Sequence, residues 1–262
     1  MTQRCSNCEG SKAETIRLYA AGSLRAALTV VARAFEEKQP SARIELEFGA
    51  SGLLRERIEK GELAHVFASA DVGHPAKLTA DGVTASEVVV FARNELCALA
   101  REGLNVTPIT LLETMLDPMV RVGTSTPKAD PSGDYAFALF AKADTIRRGA
   151  KAILEGKALQ LTGGPTSSKA PAGINQYAWV MSGAKADLFL TYCTNARLAA
   201  GELPELKIVN IPPELKIVAD YGLVVLENAP PAAVEFARFI LRDESQSILT
   251  SYGFGRGDPP DA

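Results

Sequence analysis

The sequence predicts an α/β fold, and three observations carry that reading. From Thr15 onward, short β-rich runs alternate with segments of helical periodicity, which is the signature of βα units around mainly parallel sheets. The chain has 262 residues, enough for two lobes that each bury a core. No Pro/Gly-rich linker divides it, so the lobes are expected to be joined by strands that cross between them, near residues 95 and 213. That assigns 15–94 and 214–255 to a discontinuous first lobe and 95–213 to a second, with 1–14 a disordered tail and 256–262 a short C-terminal one.

Strands are expected at TIRLYA (15–20), RIELEF (43–48), AHVFAS (64–69), EVVVFA (87–92), LCALA (96–100), VRVGT (120–124), DLFLT (187–191) and YGLVVL (221–226). The first helix, 24–38, places Leu24, Ala27, Leu28, Val31 and Phe35 three, four or seven apart, so one stripe packs on a sheet. Further helices are expected at 53–60, 135–154, 174–182 and 232–252.

Composition narrows the function. Lys and Arg number 28 against 31 Asp and Glu, for a net charge of −3 with no polybasic stretch, which argues against nucleic acid and anionic membrane as partners. No apolar run approaches the roughly 18 residues of a membrane span. Four cysteines are too few for a disulfide scaffold, and Cys97 and Cys193, in apolar segments, are expected to be small buried thiols. Cys5 and Cys8 form a lone CxxC without a second pair or a nearby His, so a frayed tail is favoured over a zinc site. The opening residues contain no apolar h-region, and the compartment cannot be read from them.

Enzyme signatures are missing. His65 and His74 are the only histidines, one in a β run and one before Pro75; there is no GxSxG, HExxH, GxGxxG or GxxxxGK[ST]. The expectation is a protein that is not an enzyme and has no cofactor.

What stands out is a repeated turn. Strand 15–20 runs into Ala21-Gly22-Ser23 before a helix, and strand 43–48 into Gly49-Ala50-Ser51-Gly52 before another. A helix start leaves N–H groups unpartnered and positively polarised, and small residues let a ligand reach the backbone. Either serine alone could simply cap its helix; two such turns at the carboxyl ends of parallel strands favour an oxyanion site. Asp130-Pro131-Ser132-Gly133 and Ala170-Pro171-Ala172-Gly173 offer further helix starts from the second lobe, and Tyr192 a phenol, the alternatives being ordinary turns and a packing tyrosine.

The segments AAGSL (20–24), FGASGLL (48–54), VFASAD (66–71), KLTADG (77–82), VVFARNEL (89–96), PSGDYA (131–136), VMSGAKADLFLTY (180–192) and FARFILRDESQSILTSYGFG (236–255) together resemble the molybdate-binding periplasmic proteins of ABC importers. The resemblance implies a two-lobed, Venus-flytrap fold of the periplasmic-binding-protein type. It further implies a monomer in the periplasm that holds molybdate or tungstate without covalent chemistry and delivers it to an ABC permease. Carried over by position, Ser23 and Ser51 would donate hydroxyl and amide hydrogens, Ser132 and Gly173 amides, and Tyr192 its hydroxyl.

The chain departs from that pattern in places. Ser132 stands where Ala is common, Gly173 where Val is common, and Asn195 where Asp is typical. Asp130 looks more like archaeal tungstate-binding relatives, which ligate the metal through carboxylates; their second carboxylate, a Glu just before the tyrosine, is Thr191 here. Tetrahedral binding by neutral donors is therefore expected, with no carboxylate on the metal and Asp130 the sole residue placed to supply one. A cage of donors alone would reject protonated oxyanions such as hydrogen phosphate. Arg25, Arg55, Lys128 and Lys169 lie near the turns, where helix-surface solvation is the default and anion steering the alternative. The rival readings are a binder or sensor of sulfate or an organic acid, and an enzyme built on Asp130, Asp134 and Tyr192.

Overall fold

The computed structural model describes residues 14–257; the Cys5/Cys8 pair and nearly all of both expected tails lie outside them. The chain runs β1 (Glu14–Ala21), a 3-10 turn (Gly22–Leu24), α1 (Arg25–Lys38), β2 (Ala42–Gly49), α2 (Ser51–Glu59), β3 (Val66–Ala68), α3 (Gly73–Ala80) and β4 (Val89–Ala100). It continues through α4 (Leu111–Leu116), β5 (Val122–Ser125), α5 (Pro131–Ile146), α6 (Ala150–Lys157), β6 (Leu159–Thr162), α7 (Gln176–Ser182), β7 (Leu188–Tyr192) and α8 (Cys193–Glu202). It closes with β8 (Lys207–Asn210), β9 (Val218–Val225), α9 (Pro231–Leu241), α10 (Asp243–Ser251) and β10 (Gly255–Arg256).

The fold is α/β and two-lobed, with strand order β2-β1-β3-β9-β4-β7-β5-β6. In the first lobe β1 pairs in parallel with β2 and β3; in the second, β5 pairs in parallel with β6 and β7. β4 joins the two, antiparallel to β9 from Val89 to Glu95 and to β7 from Leu96 to Ala100. The runs 87–92 and 96–100, expected as separate strands, are therefore one. Arg93, Asn94 and Glu95 interrupt the apolar pattern because they sit at the seam. Asn94 is buried and donates to Thr194 Oγ1 (2.8 Å) and Tyr221 Oη (3.3 Å), while Arg93 pairs with Asp220.

The α1 stripe is buried as its spacing predicts, Phe35 packing against Phe236 and Phe239 of α9 at ring distances of 5.1 and 5.5 Å. Each such side chain contributes about 1.5–3 kcal/mol of burial. Two expected helices are split. The segment 135–154 breaks where Gly149 takes a left-handed φ of 87°, with Asp144 Oδ1 accepting the Gly149 and Lys151 amides. The segment 232–252 breaks at Arg242, whose ψ of 153° is extended.

Cys97 and Cys193 are not free thiols: they form a disulfide, with Cα atoms 4.8 Å apart. The β4–β7 register sets Cys97 opposite Thr191, and the chain turns into α8 just beyond, bringing Cys193 back over β4. The bridge spans 96 residues of sequence. Opening it is expected to cost about 2–4 kcal/mol, measured as a lower urea midpoint for Cys97→Ser/Cys193→Ser than for the oxidised protein.

Asp187, just before β7, is almost fully buried and accepts from Arg101 Nε (2.7 Å) and from Arg121 N, Nε and Nη2 (2.8–3.0 Å). Hydrogen bonds from Arg121 hold its carboxyl well below the ordinary carboxylate range. A depressed folded-state value stabilises the fold above the unfolded value of about 4 and is lost as pH falls below it. Asp187→Asn is therefore expected to lower stability at neutral pH by about 2 kcal/mol and to flatten the acid limb of a stability-versus-pH curve.

Candidate functional site

Parallel strands deliver their carboxyl ends to one edge. The β1–β2 and β1–β3 registers align Ala21 with Gly49 and Ala20 with Ala68, so the turns that follow, carrying Ser23, Ser51 and Ala70, stand side by side. In the second lobe β5, β6 and β7 do the same for Asp130, Gly163 and Tyr192. The two edges face one another across a cleft of about 940 Å³ that Ser23, Ser51, Asp130, Gly173, Tyr192 and Asn195 all line. This is the crevice where open α/β sheets bind ligands, and its size suits a small molecule.

Neither serine caps its helix. Ser23 lies inside the 3-10 turn, and its Oγ is 2.9 Å from Tyr221 Oη. Ser51 is the first residue of α2, and its Oγ accepts the Ala70 amide at 3.1 Å. Each hydroxyl is thus oriented by a tertiary partner. Ser23 and Tyr221 share a hydroxyl–hydroxyl hydrogen bond in which Tyr221 Oη also accepts from Asn94, while Ser51, whose Oγ accepts the Ala70 amide, keeps its O–H for the cleft. The amides of Gly22, Ser23 and Ser51 begin their helical turns, with no carbonyl behind them in the helix to accept.

The second lobe departs from the expected donor set. The Ser132 amide is already taken: Asp130 caps α5 and accepts it at 3.1 Å, because an Asp preceding Pro-Ser is a ready N-cap. Ser132 itself is fully buried, does not line the cleft, and its Oγ has no hydrogen-bond partner. Gly173 does line the cleft, but in an exposed turn with φ 83° rather than at a helix start. The helix expected from 174 begins at Gln176, capped by Asn175, whose Oδ1 accepts the Tyr177 and Ala178 amides. Tyr192 Oη donates to Ala70 O at 3.3 Å, a bond from one lobe to the other, so binding an anion through this phenol requires that bond to be exchanged.

Asp130 is half-buried, with Gly163 against it: a Cβ on Gly163, whose φ is 75°, would come within 2.4 Å of Oδ2. Burial raises its carboxyl to about 6, with Asp134 and Asp71 adding to the rise. Its charge in turn helps push the phenols of Tyr177, Tyr192 and Tyr221 upward, burial being the larger cause in each.

Of the four cations near the turns, Arg25 and Lys169 reach the cleft, Arg25 lying over the Phe48 ring at 4.7 Å. Arg55 pairs with Glu59 along α2, and Lys128 sits at φ 67° outside the cleft lining. The histidines are structural in their contacts: His65 Nδ1 accepts the Arg17 amide at 3.1 Å, and His74 sits beside Asp71, which accepts its amide at 3.2 Å. Tyr221, Asn94 and Ala70 were not singled out from the sequence. Asn94 fell in the polar triplet read as a gap between strands, and Tyr221 and Ala70 lay in segments read only as a strand and as part of the resemblance.

The family model for bacterial extracellular solute-binding proteins matches residues 16–255. The chain belongs to that family. The solute-binding fold has relatives of several kinds. An uncharacterized protein of Pasteurella multocida, PM1146, is 37% identical over 209 residues, covering 79% of this chain and 86% of its own. The molybdate-binding protein ModA of Mycobacterium tuberculosis is 25% identical over 246 residues, covering 93% and 85%. Among solved structures, the sulfate-binding protein SubI of Mycobacterium tuberculosis superposes with a TM-score of 0.74 at 19% identity, over 94% of this chain and 88% of that one.

The lobes of this solute-binding protein meet tightly at Gly52, whose amide donates to Ala129 O at 2.9 Å. A Cβ there would fall 2.4 Å from Lys128 O and 2.7 Å from Ala129 O, both backbone atoms. Gly52→Ala is expected to force the seam apart at a cost of about 1–3 kcal/mol, read as a lower thermal midpoint and a larger radius of gyration in X-ray scattering.

Proposed function

We propose that this solute-binding protein captures a small, doubly negative oxyanion, molybdate or tungstate, in the interlobe cleft and delivers it to an ABC-type permease from the periplasm. One observation carries the reading. Two serines from separate strand-to-helix turns line one cleft, each hydroxyl anchored by a tertiary hydrogen bond, beside helical turns that begin on small residues. Oriented hydroxyls beside helix starts suit an anion. Charge is offset by oriented peptide dipoles and hydroxyls. The kinship with a molybdate-binding and a sulfate-binding protein supports an oxyanion, and the disulfide supports an oxidising compartment such as the periplasm. Nothing in the site calls for turnover: binding and release through lobe movement suffice.

A second reading is favoured by the size of the cleft and by Arg25 at its lining, which pairs with no carboxylate among the described residues. These fit an oxyanion carried on a small organic acid, the acid's carboxylate meeting Arg25. Mass spectrometry of ligand released from freshly purified protein separates the two.

Each serine hydroxyl is expected to supply about 1.5–3 kcal/mol as a charge-assisted donor. Ser23→Ala and Ser51→Ala should therefore each weaken molybdate binding by roughly ten- to a hundredfold in calorimetric titration. Unchanged affinity in both would remove these residues from the site.

A further inference from the structure

A carboxyl group in an anion-binding cleft is an electrostatic contradiction that the donors of the first lobe do not resolve. Asp130 lines the same cleft as Ser23, Ser51 and Tyr192. Its Oδ1 accepts the Ser132 amide, and a hydrogen bond from the Ser125 side chain adds to the support of the ionised form, but burial outweighs both. No Lys, Arg or His lies within ion-pair distance of it among the described residues.

The groups around it do not supply a counter-charge. Asp134 on α5 and Asp71 after β3 are acidic and oppose its ionisation. Tyr177 of α7, Tyr192 of β7 and Tyr221 of β9 hold their protons far above neutrality. His74 of α3 and Lys128 before α5 act on Asp134; Arg25, Lys169 and Glu202 lie elsewhere on the cleft wall, as does Arg57, which is paired with Glu47 and Glu62. A dianion arriving beside this carboxylate would meet like charge in a partly desolvated site, which drives a proton onto one of the two.

We propose that Asp130 shares one proton with the bound oxyanion. A fully ionised anion such as molybdate enters with a proton taken from solvent, which converts the carboxylate into a neutral O–H donor. A monoprotonated anion such as hydrogen phosphate brings its own proton and donates it to the carboxylate. In either case the complex holds a single proton between the two oxygens, so the site does not reject protonated oxyanions as a cage of donors alone would. The inference rests on the oxyanion reading above and adds its proton stoichiometry and its selectivity. It agrees with a carboxyl already raised to about 6 in the free protein.

The test is calorimetry on the full chain with molybdate, tungstate, sulfate and hydrogen phosphate, at about pH 7.5, in two buffers of different ionisation enthalpy. The wild type is expected to take up close to one proton per molybdate and almost none per hydrogen phosphate. Molybdate affinity should fall about tenfold per pH unit above neutrality. In Asp130→Asn, which keeps the helix cap, uptake should vanish and the molybdate profile flatten, with hydrogen phosphate weakened relative to molybdate. Molybdate binding to the wild type without proton uptake overturns the inference, and that measurement needs no variant. If none of the four anions binds the wild type, the oxyanion reading itself falls, and this inference with it.

Discussion

The cleft depends on how β4 passes from one sheet to the other. A strand leaving one sheet for the next must remain extended where its neighbours change, and its backbone and side chains need partners there. Here Asn94 meets that need. It binds Thr194 at the start of α8 and Tyr221 on β9, and Tyr221 reaches Ser23. A hydroxyl of the cleft is thus wired to the crossing strand through two hydrogen bonds inside a buried aromatic cluster, Tyr221 packing against Phe91, Tyr192 and Phe254. In so confined a network any unmet partner is costly, so the orientation of Ser23 is set by the frame of the molecule.

The two walls of the cleft differ in chemistry. The first lobe offers hydroxyls anchored by tertiary partners, and helical turns that begin on small residues. The second offers groups already engaged, the Ser132 amide with Asp130 and the Tyr192 hydroxyl with Ala70. Lobe contacts at Ala70 and at Gly52 therefore compete with, or flank, the place where a ligand would sit. A solute-binding protein built this way would have to exchange protein-to-protein hydrogen bonds for protein-to-solute ones at these positions when it loads.

Much of this was legible in the residues. Alternating apolar runs and the α1 stripe record burial on one face, and the small-residue turns after β1 and β2 record the need for close backbone approach. What escaped was whatever depends on register between distant segments. Cys97 and Cys193 read as separate buried thiols until the β4–β7 pairing brings them together. Arg93-Asn94-Glu95 read as a break between strands, since nothing local says that a polar triplet is buried at a seam. The Ser132 amide read as a free donor because side-chain capping by Asp130 competes with ligand binding for the same hydrogen. Helix ends at Gly149 and Arg242 were lost inside continuous apolar periodicity.

The bridge between Cys97 and Cys193 also closes the intervening polypeptide into a covalent ring. The segment from Pro165 to Ile174, largely solvent-exposed, lies within that ring and forms part of the cleft wall. A protease cutting there would leave both pieces tethered, so a nicked molecule would travel as a single species until a reductant released its halves. This stretch of cleft wall is thereby one place where the chain can be severed without the molecule coming apart.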